Sequence, residues 1–405
     1  MKSNFSPTGV LDIGSYELKF IIFKIEKSKI KILSKSILKT DGLKRGLISD
    51  LNKFTKSIKE IIGKAEDQAK IQIKNVYVCA SPLISFSTYF CQSKNIGAYE
   101  INQEKDVQFL VNSGVDLFKD YNFSSNITHL FNLNLRIDKK NFVENPVGLI
   151  ADTLENDMYI IYSKKNTLRN FEKAVSQSYL KSEKFIYSPY TLSLLSYVES
   201  PLSDLILTID FGHEQTSVSI FKNDSFIFSS CIPIGSWHIT NDISKALNLS
   251  FEISENLKKD HSCCKSLNNE RNQEFLETED IGLKTYKKIS NSILNKIVNS
   301  RVEEIIDFIN KELIFLDSKK ENLNKILITG QGSRINGFYD LLKDKLNIKS
   351  LVVEKFSPKI KCNIPDEFDV CLSMINFIQN PYHKEIPSNY KKKLSFFEKL
   401  YSLLN

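Results

Sequence analysis

The sequence contains no Cys-x-x-Cys, although it has seven cysteines: Cys79, Cys91, Cys231, Cys263, Cys264, Cys362 and Cys371. An odd count without paired spacing offers no disulfide framework, and no Cys/His spacing suits a zinc site. The pattern fits free thiols in a reducing cytosol. Cys263 and Cys264 are adjacent, which is poor geometry for a simple disulfide. No apolar run approaches about 18 residues, so no spanning helix is expected. No basic stretch followed by an apolar one opens the chain, so no secretory signal is read. Outside the C-terminus no basic cluster is interleaved with aromatics. The net charge of +7 is scattered and forms no nucleic-acid stripe, so nucleic acid is not an expected partner.

What is present is ordinary for a soluble globular chain. Its 405 residues are 41% hydrophobic and 25% charged, enough for two to three domains or for two lobes with insertions.

The main signal is a segment that occurs twice. Residues 12–23 read Asp-Ile-Gly-Ser-Tyr-Glu-Leu-Lys-Phe-Ile-Ile-Phe, and residues 210–221 read Asp-Phe-Gly-His-Glu-Gln-Thr-Ser-Val-Ser-Ile-Phe. Each follows an apolar run and reads as strand, tight Asp-x-Gly turn, strand. A carboxylate and a glycine amide at a hairpin tip suit a Mg-bound polyphosphate: glycine lets the backbone approach, and the carboxylate holds the waters of the metal. Two copies suggest two similar lobes closing on one nucleotide.

Around the copies the pattern is α/β. Strands are expected at 9–13, 17–25, 29–38 and 73–79, with a helix from Leu51 to Lys70 carrying Phe54, Ile58, Ile61, Ile62, Ala65 and Ala69 on one face. Residues 84–162 have another texture and read as a small α+β insertion. A helix is expected over 166–182, with Leu168, Phe171, Val175 and Tyr179 inward. A long helix over about 283–316 would turn Ile289, Ile293, Ile297, Val302, Ile305, Ile306 and Ile309 inward. Residues 380–390 read as a linker.

Three further segments carry chemistry. Thr329-Gly330-Gln331-Gly332-Ser333 follows a strand and precedes a helix, a place where an anion is favoured. Glu255 and Lys258 lie one helical turn apart. On spacing alone they read as a salt bridge; the functional reading is hydrogen bonding to a ribose and an adenine. On a helical wheel of about 100° per residue, Leu394, Phe396, Phe397, Leu400, Tyr401, Leu403 and Leu404 fill one half of segment 394–405. Lys391, Lys392 and Lys393 precede it, and residues 381–405 carry a net +3. A basic amphipathic helix on a tether suits an anionic membrane surface.

These motifs together resemble the FtsA family, bacterial actin-like cell-division proteins. The resemblance runs over nearly the full length. Leu11-Asp12-Ile13-Gly14-Ser15 and Asp210-Phe211-Gly212 match its two phosphate loops, Glu255-Asn256-Leu257-Lys258 its adenosine helix, and Thr329–Ser333 its adenosine loop. The stretches Gly42–Leu51 and Asn145-Pro146-Val147-Gly148-Leu149, the insertion and the tail also match.

The resemblance implies an actin-like (ribonuclease H-like) two-lobed ATPase fold with an inserted small α+β subdomain. Residues 1–83 and 163–200 would form the first lobe, with 364–380 packing back on it, and 201–239 with 326–363 the second. Residues 84–162 would be the insertion, 240–325 a helical subdomain that binds the FtsZ peptide, 381–390 a linker and 391–405 the membrane helix. ATP or ADP with Mg would lie between the lobes. Asp12 and Asp210 would hold the metal through water, with Gly14, Ser15, Tyr16, Gly212 and Thr216 at the phosphates and Glu255, Lys258, Gly330, Gly332 and Ser333 at adenosine.

The implied partners are the FtsZ C-terminal peptide, further copies in a head-to-tail filament, the anionic membrane and other division proteins. The implied location is peripheral, at the cytoplasmic face of the inner membrane at the septum. Loop 2 of the family reads Asp-x-Gly-Gly-Gly-Thr-Thr; here His213, Glu214 and Gln215 replace Gly-Gly-Thr, Tyr16 stands where a small residue is usual, and Gln331 interrupts a glycine run. Each change weakens the phosphate cradle, so a scaffold with weak or absent ATPase activity is expected; in the catalytic alternative, Glu214 or Gln215 orients a water. The related alternatives are a kinase or ATPase of the sugar-kinase or Hsp70 kind, and a relative of pilus-assembly ATPases.

Overall fold

Largely buried apolar runs and a tight Asp-x-Gly turn make β1 (Thr8–Ile13) and β2 (Glu17–Glu26) an antiparallel hairpin with Asp12 opposite Lys19. The computed structural model describes residues 6–27, 29–80, 82–200, 205–264, 275–276, 288–314, 323, 325–346, 352–358 and 364–386. The expected membrane helix at 391–405 lies outside them.

After the hairpin come β3 (Lys29–Lys39), a small ribbon of β4 (Leu43–Lys44) and β5 (Leu47–Ile48), α1 (Leu51–Ala69) and β6 (Asn75–Ala80). Asp50 caps α1 by accepting from the amides of Asn52 and Lys53. The helix ends at Lys70, whose φ of 58° is left-handed. Its apolar face, Phe54, Ile58, Ile61, Ile62 and Ala65, is buried against the first sheet. Gly42 has φ 78°, and a Cβ there would lie 2.4 Å from the Asp50 carbonyl, so only glycine fits.

The insertion holds β7 (Ser85–Glu100), α2 (Gln108–Tyr121), β8 (Ser125–Ile137), β9 (Asn141–Val143) and β10 (Ile150–Lys164). Then follow α3 (Lys165–Ser176), β11 (Lys181–Tyr187) and α4 (Ser188–Glu199). The second hairpin is β12 (Leu205–Phe211) with β13 (Thr216–Lys222), followed by β14 (Phe226–Ile232), α5 (Ser236–Leu247), α6 (Phe251–His261), β15 (Phe275–Leu276), β16 (Ile289–Ser290) and α7 (Asn291–Glu312). The series ends with β17 (Lys325–Thr329), α8 (Phe338–Leu346), β18 (Val352–Lys355) and α9 (Asp369–Gln379).

The duplication extends beyond the hairpins. The first sheet has the order β11-β6-β1-β2-β3 and the second β14-β13-β12-β17-β18. In both, the hairpin's first strand is central. It pairs antiparallel with its partner, which pairs antiparallel with a third strand. On its other side lie two parallel strands, β6 and β11 or β17 and β18. Each sheet thus has the same wiring, and each central strand ends in Asp-x-Gly. The run Leu-Ile-Leu-Thr-Ile of β12 is buried at every position, as a strand covered on both faces requires.

Each lobe has its own core. The second is built from β12, β13, β17 and the buried stripe Leu294, Val298, Val302, Ile305, Ile306 and Ile309 of α7. Burying each such side chain contributes about 1.5–3 kcal/mol. Two expectations need correction. Ile289 is buried but belongs to β16, because α7 starts only at Asn291, and Ile293 lies on the exposed side of α7. Tyr179 is 88% exposed, because α3 stops at Ser176 and Tyr179 takes a left-handed φ of 64°.

The chain divides into two units: residues 1–85 with 167–380, and residues 86–166 with 381–405. The first holds both sheets just described, with α9 packed on α4 and β1. The second is a four-stranded sheet of order β7-β10-β8-β9 covered by α2. Gly114 of α2 lets Met158 of β10 approach, since a Cβ would lie 2.2 Å from the Met158 methyl. The expected linker is not free at its start. Ile386 N–H donates to the Leu130 carbonyl at 2.8 Å, Asn132 N–H donates to the Lys384 carbonyl at 3.2 Å, and the buried His129 ring lies 2.8 Å from Glu385 Oε1. Backbone pairing along β8 holds 384–386 despite their polar composition. Glu385→Ala should therefore speed proteolytic cleavage between 381 and 390 without changing far-ultraviolet circular dichroism; unchanged cleavage would mean the segment is not held there.

Candidate functional site

The two hairpin tips belong to the first unit and line one cavity of about 340 Å³. Asp12, Gly14, Ser15 and Tyr16 reach it from the first sheet; Asp210 and Gly212 reach it from the second. Glu255 and Lys258 of α6, and Gly330, Gly332 and Ser333 after β17, complete the expected set. Thr216 does not line the cavity: it is fully buried at the start of β13, and its hydroxyl donates to the Ile234 carbonyl at 2.8 Å.

Burial sets the electrostatics. Asp12 is 6% exposed, and desolvation raises its pKa although Lys19, 3.6 Å away, pulls it back. Lys19 is itself penalised by burial, but the negative charges around it, that of Asp12 foremost, outweigh this and raise its pKa. Asp210 is pushed up to about 6, first by burial and then by the negative charge of Asp12, with Lys19 opposing. The partners opposite the two aspartates differ: Lys19 faces Asp12 and Ser217 faces Asp210. The sequence motif names Asp12 but not Lys19; the hairpin register is the signal that finds it.

The third loop packs as much as it opens. Gly330 has φ 87°, and a Cβ there would lie 2.6 Å from Asp210 Oδ1. A Cβ on Gly332 would meet the Phe211 ring at 2.6 Å. Both glycines therefore let this loop close onto the end of β12. Ser333 Oγ donates to the Gly330 carbonyl at 2.7 Å. Behind the loop, Thr329 Oγ1 donates to buried Asp369 at 3.0 Å.

Glu255 and Lys258 are bonded to each other at 2.7 Å. Lys258 Nζ also donates to Thr240 Oγ1 at 2.9 Å and to the Ser236 carbonyl at 3.3 Å, so its three donors are taken. Glu255 further accepts from Thr240 at 2.6 Å and pairs with Lys259 at 3.3 Å. Burial disfavours the charge of each. Glu255 nonetheless stays below its ordinary pKa, because Lys258, Thr240 and Lys259 outweigh its desolvation. In the structure both groups brace α6 against α5, which is the salt-bridge reading of their spacing.

The residues that depart from the small-residue pattern also face this cavity. Tyr16 and His213 approach with ring centroids 4.6 Å apart, tilted by 40°. Burial and then the charge of Lys258 push the His213 pKa down to about 4, so the ring is neutral near pH 7. The amides that open α5 are used by the hairpin itself: Ser236 N–H donates to the Gly212 carbonyl at 3.0 Å and Trp237 N–H to the His213 carbonyl at 2.7 Å. Among the described residues, no group of three or more His, Cys, Asp or Glu is placed to hold a metal directly.

Comparison with known proteins places this geometry. Residues 207–381 match the family model "Cell division protein FtsA". A curated FtsA of Buchnera aphidicola subsp. Acyrthosiphon pisum (strain APS) is 25% identical over 414 residues, covering 98% of this chain and 96% of that protein. The chain is thus similar to FtsA proteins over nearly its full length. Among solved structures, a PilM-PilN type IV pilus biogenesis complex superposes with a TM-score of 0.67 at 14% identity, over 92% of this chain and 99% of that one. MreB5 of Spiroplasma citri bound to ADP superposes at 0.55 with 13% identity, over 92% and 97%. These neighbours give the chain an actin-like fold.

The carboxylate pair makes a testable electrostatic statement. The pKa of Asp210 in the folded chain, about 6, lies above the ordinary 3.8. Folding therefore binds a proton, and the stability it contributes below about pH 4 is lost as pH rises through 6. In metal-free buffer at pH 7, Asp210→Asn should raise stability by as much as about 3 kcal/mol. The gain should fade toward pH 4. Thermal melts at both pH values check this; an equal or lower melting temperature at pH 7 refutes it.

Proposed function

We propose that the chain is an actin-like scaffold that tethers FtsZ filaments to the cytoplasmic membrane and recruits other division proteins at the septum. The observation that carries the nucleotide part is the convergence of two equivalent hairpin tips, each with an aspartate and a glycine, on one cavity. ADP in the MreB5 neighbour supports a nucleotide here. Asp12 and Asp210 are hard oxygen donors whose like charges a cation would offset, and two carboxylates suit a Mg²⁺ that keeps its waters. The metal would supply charge neutralisation for a polyphosphate. Gly14, Ser15 and Gly212 would lie at the phosphates, Gly330, Gly332 and Ser333 at adenosine. With Glu255 and Lys258 bonded to one another, they would meet a nucleoside only by giving up a partner.

Catalysis is not part of this reading. Gln215, a candidate to orient water, uses its Oε1 to accept from the Leu83 amide at 3.1 Å, and Glu214 accepts from the Arg45 amide at 3.0 Å. The helical region around 240–325 would take the FtsZ C-terminal peptide, and further copies would add head to tail. The domain limits expected from the sequence are part of the same proposal. Lys392, Lys393 and the apolar face from Leu394 to Leu404 would enter the membrane. A pilus-assembly role is the second reading, favoured by the superposition on the PilM-PilN complex; the basic amphipathic tail speaks against it.

Deleting residues 391–405 should release the full-length protein from anionic vesicles in a sedimentation assay. Unchanged co-sedimentation would sink the tether. Mg-ATP titration should give affinity weaker than micromolar and no steady turnover; tight binding with turnover would refute a degenerate site.

A further inference from the structure

The residues that displace the family's small ones share a second property: each reaches the other lobe. Tyr16, on the first sheet's hairpin, meets the His213 ring of the second at 4.6 Å between centroids. Glu214 Oε2 accepts from the Arg45 amide at 3.0 Å, in the β4–β5 ribbon of the first lobe. Gln215 Oε1 accepts from the Leu83 amide at 3.1 Å, just beyond β6. Gln331, in the loop after β17, donates from Nε2 to Glu17 Oε2 at 3.4 Å on β2.

We propose that these side chains are a latch built into the cleft, with Tyr16 and His213 as the specificity-determining residues that exclude a polyphosphate from between the hairpin tips. This deepens the nucleotide reading above and rests on it.

Glycine at 213 or 214 would leave free space between the tips and backbone amides open to an anion. Here an aromatic pair stands in that space, and Glu214 adds a negative charge beside it. The first tip is held from behind as well: the Thr40 hydroxyl donates to the Gly14 carbonyl at 2.8 Å, and the Thr40 amide to the Tyr16 carbonyl at 2.9 Å. The second tip is fixed by the α5 amides on the Gly212 and His213 carbonyls. Two tips held in this way, with complementary side chains between them, tie the two lobes together across the cleft. A ligand shifts a conformational equilibrium only by binding one state better than the other. A polyphosphate entering here must first separate the rings, so it favours the open state, the reverse of a clamp that closes on its nucleotide.

The test uses the full chain and two readouts. Hydrogen exchange reports the Arg45 and Leu83 amides, which the latch bonds directly; calorimetry reports Mg-ATP affinity. In the wild type both amides should be protected without nucleotide. In Tyr16→Ser/His213→Gly they should exchange at least ten-fold faster, and Mg-ATP should bind at least ten-fold tighter. Should that variant fail to fold, Glu214→Ala/Gln215→Ala keeps the ring pair and should unprotect the same amides. Protection unchanged in the variants overturns the latch while leaving the nucleotide reading standing. Lost protection with an unchanged, measurable Mg-ATP affinity overturns the exclusion and leaves the nucleotide reading standing, whereas no Mg-ATP binding by either form overturns that reading.

Discussion

The structure is organised around two carboxylates, one buried and one half-buried. Asp12 and Asp210 end the central strands of two sheets with the same wiring, and both line one cavity. Burying two like charges is unfavourable unless something compensates. The first hairpin supplies its own compensation in Lys19, across the register from Asp12. The second has Ser217 at that position, and Asp210 responds by holding its proton up to about pH 6. The two copies of the motif are thus equivalent in backbone and unequal in charge. A cation between them would restore balance, which is the physical basis of the metal-bound anion proposed above.

Much of this was legible in the sequence because the signals are local. Twelve-residue self-similarity located both hairpins, and helical spacing located the inward face of α1 from Phe54 to Ala65. What stayed illegible depends on partners distant in the chain. Thr216 sits at a motif position, yet its hydroxyl turns to Ile234 instead of the cavity. Lys258 has the spacing of a ligand contact, but Ser236 and Thr240 of a neighbouring helix complete its bonding. Residues 384–386 look like tether by composition, yet backbone pairing along β8 needs no apolar side chain. The overlong readings of α3 and α7 share one cause. Apolar spacing continues past a boundary that a left-handed residue or a short strand imposes.

The departures from the family pattern are more than losses. A glycine replaced in a phosphate loop removes backbone freedom, and it also adds a side chain that must be accommodated. Here the added groups find partners across the cleft. A cleft that must open and close around a nucleotide is poorly served by such ties, because each bond has to break in every cycle. A scaffold that presents fixed surfaces to copies of itself and to other proteins is well served by them. The same substitutions that argue against turnover therefore argue for a rigid, assembly-ready form, and one set of residues accounts for both halves of the proposed role.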